Sequence, residues 1–381
     1  MRTVGAALVL AASLALALSA RQAGGRVSLT AQRLLDVERG ALVQDAVVVI
    51  ENGRIVAAGP RSDTPPQGTV TALGDVTLLP GRIDAHVHLT LAGPGDANAR
   101  ATLLAGFTTV QDLGALGYAN LALRDSIKSG KVAGPRVVSA GPWLGESGLT
   151  CDFQKTGVKG ADAFRERVRQ DVDRGADLIK VCASGWLPQA AKQPDAYEIS
   201  DDELKGAVEE AHRARRRVAV HAISQRAIGA AIGHGADLLV HAGFTPTETI
   251  AAMKARGVYQ LSTLWSFKRA NPPELYEQLR AHMATAVRNG LPIAFGTDAG
   301  VVPHGSNAAE FLELEAIGLS RIDAIRAATL HAARAVGMAA DVGALQKGRL
   351  ADVIAVRGNP LEDLRALQNV TFVMKDGVPV R

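Results

Sequence analysis

The chain is poor in aromatic residues, in cysteine and in charge of one sign. Phe, Trp and Tyr make up 4% of 381 residues, which leaves no interleaved set of rings for stacking nucleic-acid bases. Net charge is +4, with both signs interspersed along the chain, so there is no broad field for a polyanion or an anionic membrane. The densest basic run, Arg213-Ala214-Arg215-Arg216-Arg217, closes a helical pattern, where cations complement the helix dipole; it reads as a solvated face. Two cysteines, Cys151 and Cys182, are no disulfide framework, and the pair reads as free buried thiols. Long apolar runs are missing except over residues 4–18, behind Arg2 and with small residues at Ala15, Ala17 and Ala20. Residues 1–20 therefore read as a secretory signal peptide, too short for a membrane span. No cysteine near the cleavage region offers a lipid anchor. The mature chain is expected outside the cytoplasm, in a bacterial periplasm or secreted.

What is present suits a large domain with a small one, since 47% of residues are hydrophobic. Residues 27–80 read as short strands: Ala46-Val47-Val48-Val49-Ile50 is β-branched, and Glu51-Asn52-Gly53-Arg54 carries a hairpin turn signal. The C-terminal segment repeats that style, with Ala351-Asp352-Val353-Ile354-Ala355-Val356, Val370-Thr371-Phe372-Val373-Met374 and a turn at Lys375-Asp376-Gly377. One small β-sandwich domain built from both termini, 27–80 with 341–381, accounts for both ends. Between them strand-like runs at 83–88, 108–112, 136–140, 178–181, 218–221, 238–241, 258–263 and 293–298 alternate with helical patterns such as 162–174, 201–216 and 272–289. Ser200-Asp201-Asp202-Glu203 resembles a capping box. Strands and helices in that alternation predict an α/β fold, a (β/α)8 TIM-type barrel over 81–340.

Polar residues then fall where barrel chemistry is done, at the C-terminal ends of strands. In Pro80-Gly81-Arg82-Ile83-Asp84-Ala85-His86-Val87-His88, alternation puts His86 and His88 on one face, with Asp84 one step below. That arrangement suits two ligands of one metal and an orienting carboxylate behind them. Lys180 lies in an apolar strand, where an amine is costly unless paired or modified. His221, His241 and Asp298 each end a further strand.

Pro80-Gly81-x-Ile83-Asp84-x-His86-x-His88, with Lys180, His221, His241 and Gly296-Thr297-Asp298, resembles the metal-dependent amidohydrolase superfamily. Thr108-Thr109-Val110-Gln111-Asp112-Leu113-Gly114, Arg124-Asp125, Ile179-Lys180, Asp298-Ala299-Gly300 and Pro303-His304-Gly305 are similar to its imidazolonepropionase-like, prolidase-type branch. The resemblance implies two divalent metal ions, zinc by default. His86, His88 and Asp298 would bind the more buried ion and His221 and His241 the more exposed one. Lys180, carbamylated by CO2, would bridge them. It implies hydrolysis of a dipeptide, an N-acyl amino acid or a related amide such as a mycotoxin amide, by water that the metals acidify, with Asp298 as proton shuttle. It also implies a homo-oligomer. A lactonase or esterase would use the same site. A heterocycle deaminase would lack Lys180, and a retired binding barrel would have lost ligands.

Two departures from that family stand out. Arg82 takes a usually apolar place and, by alternation, faces the barrel interior, where a buried carboxylate could pair with it. The loop Gly141-Pro142-Trp143-Leu144-Gly145-Glu146-Ser147-Gly148 lacks a histidine that dipeptidase-type relatives carry, leaving Trp143, Glu146 or Ser147 to shape the pocket. His304 and Trp265 are further candidates for substrate contact, with Lys268 and Arg269 beside Trp265. Cys182 shares the Lys180 face and reads as packing.

Overall fold

The computed structural model describes residues 25–381; the signal peptide expected over 1–20 lies outside them. The chain divides into two compact units, one running up to Arg82 and resuming over Met338–Arg381, the other Ile83–Gly337. The first opens with β1 (Val27–Asp36), β2 (Ala41–Glu51), β3 (Arg54–Pro60), β4 (Thr69–Ala72) and β5 (Thr77–Pro80). β2 turns into β3 through Asn52 and Gly53, both left-handed at φ 51° and 74°, as a two-residue hairpin of this twist requires.

The second unit carries β6 (Arg82–Val87), β7 (Phe107–Asp112), β8 (Arg136–Ser139), β9 (Leu178–Cys182), β10 (Arg217–Ala222), β11 (Leu238–His241), β12 (Tyr259–Leu261) and β13 (Ile293–Ala294). β6, β7, β9 and β11 are buried along their whole length, because helices cover the outside and side chains fill the inside; hence their unbroken apolar character. Hydrogen bonding orders them β6-β7-β8 and β9-β10-β11-β12-β13. The two arcs join at both seams. Asp177 N donates to Ser139 O at 2.8 Å and Leu144 N to Lys180 O at 2.9 Å. Ala85 N donates to Phe295 O at 2.9 Å and His88 N to Ala299 O at 2.7 Å. The result is a closed (β/α)8 barrel. The capping box forms, Ser200 accepting from Glu203 N while Glu203 accepts from Ser200 N.

Three expected elements end early. β12 stops at Leu261, two residues before Thr263 turns left-handed at φ 52°, and β13 at Ala294, four residues before Asp298 does so at φ 59°. The helix Asp201–Arg213 stops short of 216 because Arg215 does the same at φ 56°.

The chain closes with β14 (Val353–Val356), β15 (Val370–Lys375) and β16 (Val378–Pro379). They extend the first unit's sheet in the order β16-β15-β14-β5-β1-β2-β3, with β4 on β1. One core holds Leu29, Val48, Ile55, Leu78, Val353 and Phe372, drawn from both flanks of that sheet. Its two ends meet where the β15–β16 turn crosses the β2–β3 turn. Arg82 is buried here, and its partners include the Leu367 carbonyl at 2.7 Å; burial pushes its pKa down to about 9.

Gly377, at φ 77°, is where the sheet ends touch, and a Cβ there would lie 2.8 Å from Gly53 Cα. Gly377→Ala is expected to destabilise the protein by about 2 kcal/mol, from the left-handed penalty and the backbone contact together. Urea denaturation of the two proteins checks it.

Candidate metal centre

Six side chains, from four strands and the segments that follow β6 and β13, line one cavity of about 60 Å³: His86, His88, Lys180, His221, His241 and Asp298. Parallel pairing brings three of them to one level of the barrel: His221 lies opposite Cys182, two residues past Lys180, and opposite Val240, next to His241. His86 Nε2 lies 3.2 Å from His88 Nε2 and 3.4 Å from Asp298 Oδ1. Asp298 Oδ1 is 3.2 Å from His88 Nε2. The His241 ring centroid lies 5.0 Å from that of His86 and 4.8 Å from that of His221. Donor atoms of His86, His241 and Asp298 all fall within 4.8 Å of one another, close enough for one ion.

Burial removes charge from most of these groups. It drives His86 and His241 well below the usual histidine range and His221 down to about 3, so their rings are neutral, the form that binds metal. At His88 burial works the same way, but Asp298 and Asp112 outweigh it and raise the pKa. Burial pushes the Lys180 amine down to about 7. Burial would also protonate Asp298, yet His86, His88 and His241 hold it far below the carboxylate range. Among the described residues, Lys180 Nζ and His86 Nδ1 are buried without a hydrogen-bond partner.

Neighbouring groups fix the rings. His88 Nδ1 donates to the Gly114 carbonyl at 2.9 Å, and His241 Nδ1 pairs with Thr263 Oγ1 at 2.8 Å, which leaves each Nε2 facing the cavity. Asp84 accepts from the backbone N–H of His86 and Thr297 at 3.1 Å and from Thr297 Oγ1 at 2.6 Å. It therefore orients the backbone of the first and last barrel strands, not an imidazole as alternation had suggested. His241, Ala242, Thr263 and Asp298 are left-handed, strain of about 1–3 kcal/mol each that collects at this end of the barrel. Glu310, fully buried, accepts from Leu264 N at 2.9 Å and Trp265 N at 2.6 Å and so holds the segment that carries Thr263.

Above the cavity lies an aromatic mouth. Trp143 stacks beside His88 with centroids 5.4 Å apart, Phe153 meets Trp143 at 4.9 Å, and Trp186 meets His221 at 5.4 Å. Of the residues expected to shape the pocket or touch substrate, Trp143 lines the cavity; Glu146, Ser147, His304 and Trp265 do not. His304 pairs through Nδ1 with Thr102 Oγ1 at 3.0 Å and through Nε2 with the His88 carbonyl at 3.3 Å. Trp265 stacks against Arg269. The reading of two free thiols is overturned: Cys151 and Cys182 form a disulfide. The loop after β8 folds over the end of β9, where Cys182 N donates to the Leu144 carbonyl, and this brings together cysteines that sequence separation keeps apart. Sequence reasoning missed Phe153, Trp186, Leu91 and Val301, which with Cys151 complete the lining. Large apolar side chains in the loops after strands were the available signal.

Comparison with known proteins agrees with this geometry. A family model described as the amidohydrolase family matches residues 77–380. The ochratoxinase of Aspergillus niger is 29% identical over 405 residues, spanning 89% of this chain and 83% of its own. A crystal structure of a Xaa-Pro dipeptidase with bound methionine in the active site superimposes with a TM-score of 0.84 at 28% identity, covering 93% of this chain and all of that one. The imidazolonepropionase of Symbiobacterium thermophilum is 25% identical over 374 residues, or 83% of this chain and 86% of its own.

Glu310 gives this end of the barrel a pH signature. Burial pushes its carboxyl from 4.5 up to about 8. Across that window the folded chain keeps a proton that the unfolded chain releases, so this contribution to stability falls as pH rises and levels off above the folded pKa. Glu310→Gln removes the titration. The variant is expected to lose less stability than the parent between about pH 5 and about pH 8, measured by urea denaturation at each pH.

Proposed function

The chain belongs to the amidohydrolase family, and from that premise we propose that it is a binuclear metal-dependent hydrolase that cleaves the C–N bond of a small-molecule amide. One observation carries the proposal: the Lys180 amine is buried, without a protein partner, in a cavity it shares with four histidines and an aspartate. A bare amine there has neither solvent nor an acceptor. Addition of the neutral amine to CO2, with loss of one proton, gives a carbamate whose two oxygens suit a bridge between cations.

The donor set fits two divalent ions. His86, His88 and Asp298 would hold one, His221 and His241 the other, and carbamylated Lys180 would join them; imidazole and carboxylate donors favour zinc. When bound, the ions would supply an acidified water and polarise the substrate carbonyl. Asp298, ionised and at the cavity wall, accepts the proton of the attacking water and passes it to the leaving nitrogen, which departs poorly as an anion. Gly114 and Thr263 keep the His88 and His241 rings from rotating. The likeness to a Xaa-Pro dipeptidase supports an amide as the target. The Cys151–Cys182 disulfide supports export to an oxidising compartment.

Lys180→Ala is expected to remain folded, lose most bound metal and lose at least about 100-fold in kcat/KM. Asp298→Asn should keep more metal than Lys180→Ala while losing turnover to a similar degree. Metal analysis beside steady-state kinetics separates the two. Full metal and full activity in Lys180→Ala would remove the bridging role.

A further inference from the structure

We infer that the mouth of the site selects amides whose bulk is neutral and apolar over amides that end in a free carboxylate. The inference rests on the amide-hydrolase reading and names its substrate class. The histidines share one cavity with Trp143, Phe153, Trp186 and Val301 of the mouth. A substrate whose amide reaches the histidines therefore lies against the mouth.

That mouth is apolar to an unusual degree. Among the described residues, large hydrophobic side chains are exposed at eight positions. Six of them, Leu91, Leu116, Leu149, Phe153, Trp186 and Val301, stand in loops that follow barrel strands. Phe153, Trp186 and Val301 are each about half exposed and also line the cavity. Exposed apolar area gathered at one rim, continuous with a reactive centre, is what binding of an apolar group requires.

The rim is held in place. Phe153 lies two residues from Cys151, which the disulfide ties to the end of β9. Thr150 donates through N and Oγ1 to Glu198, and Asp152 accepts from Gly148 N and Gly157 N. Phe153 then packs on Trp143 at 4.9 Å and reaches Trp186 at 6.3 Å. A platform fixed in this way needs little ordering when a flat group lands on it.

Among the described residues, the cavity lining offers a carboxylate no lysine or arginine outside the reactive centre; the sole one, Lys180, belongs to that centre. Lys268 and Arg269, which stand beside Trp265, are engaged elsewhere. Lys268 Nζ pairs with Glu313 Oε1 at 2.7 Å, and Arg269 stacks 5.7 Å over the Trp265 ring.

Matched substrates test this. Purified, zinc-loaded protein is given N-acylanilides of increasing acyl size, their N-acyl-4-aminobenzoate counterparts, and a set of dipeptides and N-acyl amino acids. The neutral anilides are expected to exceed their carboxylated partners at least about 10-fold in kcat/KM, with a preference that grows with acyl size. Phe153→Ala should flatten that size dependence by about 10-fold or more for the largest acyl group, chiefly through KM, and Phe153→Leu should restore part of it. Val301→Lys, at an exposed position, should raise kcat/KM for the carboxylated series about fivefold and leave the neutral series behind. Preference for carboxylated substrates by the unaltered protein would overturn the inference and leave amide hydrolysis standing. So would Phe153 and Val301 variants that change oligomeric state by size-exclusion chromatography without changing selectivity, which would make the rim a contact between copies. Hydrolysis of no amide in any set would overturn the amide reading and this inference with it.

Discussion

The arrangement of this end of the barrel depends on one constraint: an amine, four imidazoles and a carboxylate are shut away from water together. Each alone would be expensive to bury. Placed together, His86, His221 and His241 surrender their charge, while the pairing of His88 Nε2 with Asp298 Oδ1 at 3.2 Å raises the pKa of the one and lowers that of the other. The strained backbone at His241, Ala242, Thr263 and Asp298 belongs to the same constraint. A strand that continued straight would carry its next side chain away from the barrel axis. The left-handed turn aims it inward, and bonds such as Asp298 N to His86 O at 2.8 Å and Thr263 N to Gly296 O at 2.8 Å hold the turn.

Much of this was legible in the sequence because strands write a simple code. His86 and His88 two residues apart had to share a face. Lys180 sat inside an apolar run while His221, His241 and Asp298 each closed one, and a parallel barrel puts all such ends on one side. Asn52-Gly53 and Asp376-Gly377 named their own turns, since few other pairs tolerate positive φ twice. The early ends of β12 and β13 were not legible. Nothing in Ser262-Thr263 or Thr297-Asp298 marks a left-handed backbone, which the surrounding hydrogen bonds impose.

Loops write no such code. Cys151 and Cys182 meet because the segment after β8 adds Leu144 to the edge of β9, a placement that depends on contacts across the whole loop. His304 shared a motif with reactive neighbours, yet its two nitrogens serve Thr102 and the His88 carbonyl. Phe153 and Trp186 looked like isolated aromatics until the fold brought them within reach of the same cavity. The metal centre and the mouth therefore answer to different parts of the chain. Strand ends set the donors rigidly, while loops pinned by a disulfide and carboxylates set what can approach them.

Gly114 is where these two parts meet. Its carbonyl fixes the His88 ring, a task any residue's backbone could do. Its missing side chain does something no other residue could, because a Cβ there would lie 2.2 Å from Trp143 Nε1, at a φ of 144°. The Trp143 indole thus sits where a side chain at position 114 would be, against the ring whose orientation position 114 controls. A larger residue would push the indole out of the mouth or pull the carbonyl from His88, and either movement would be felt by both substrate and metal donors. The loop that lacks the expected histidine places its indole in the space this one absent methyl group leaves.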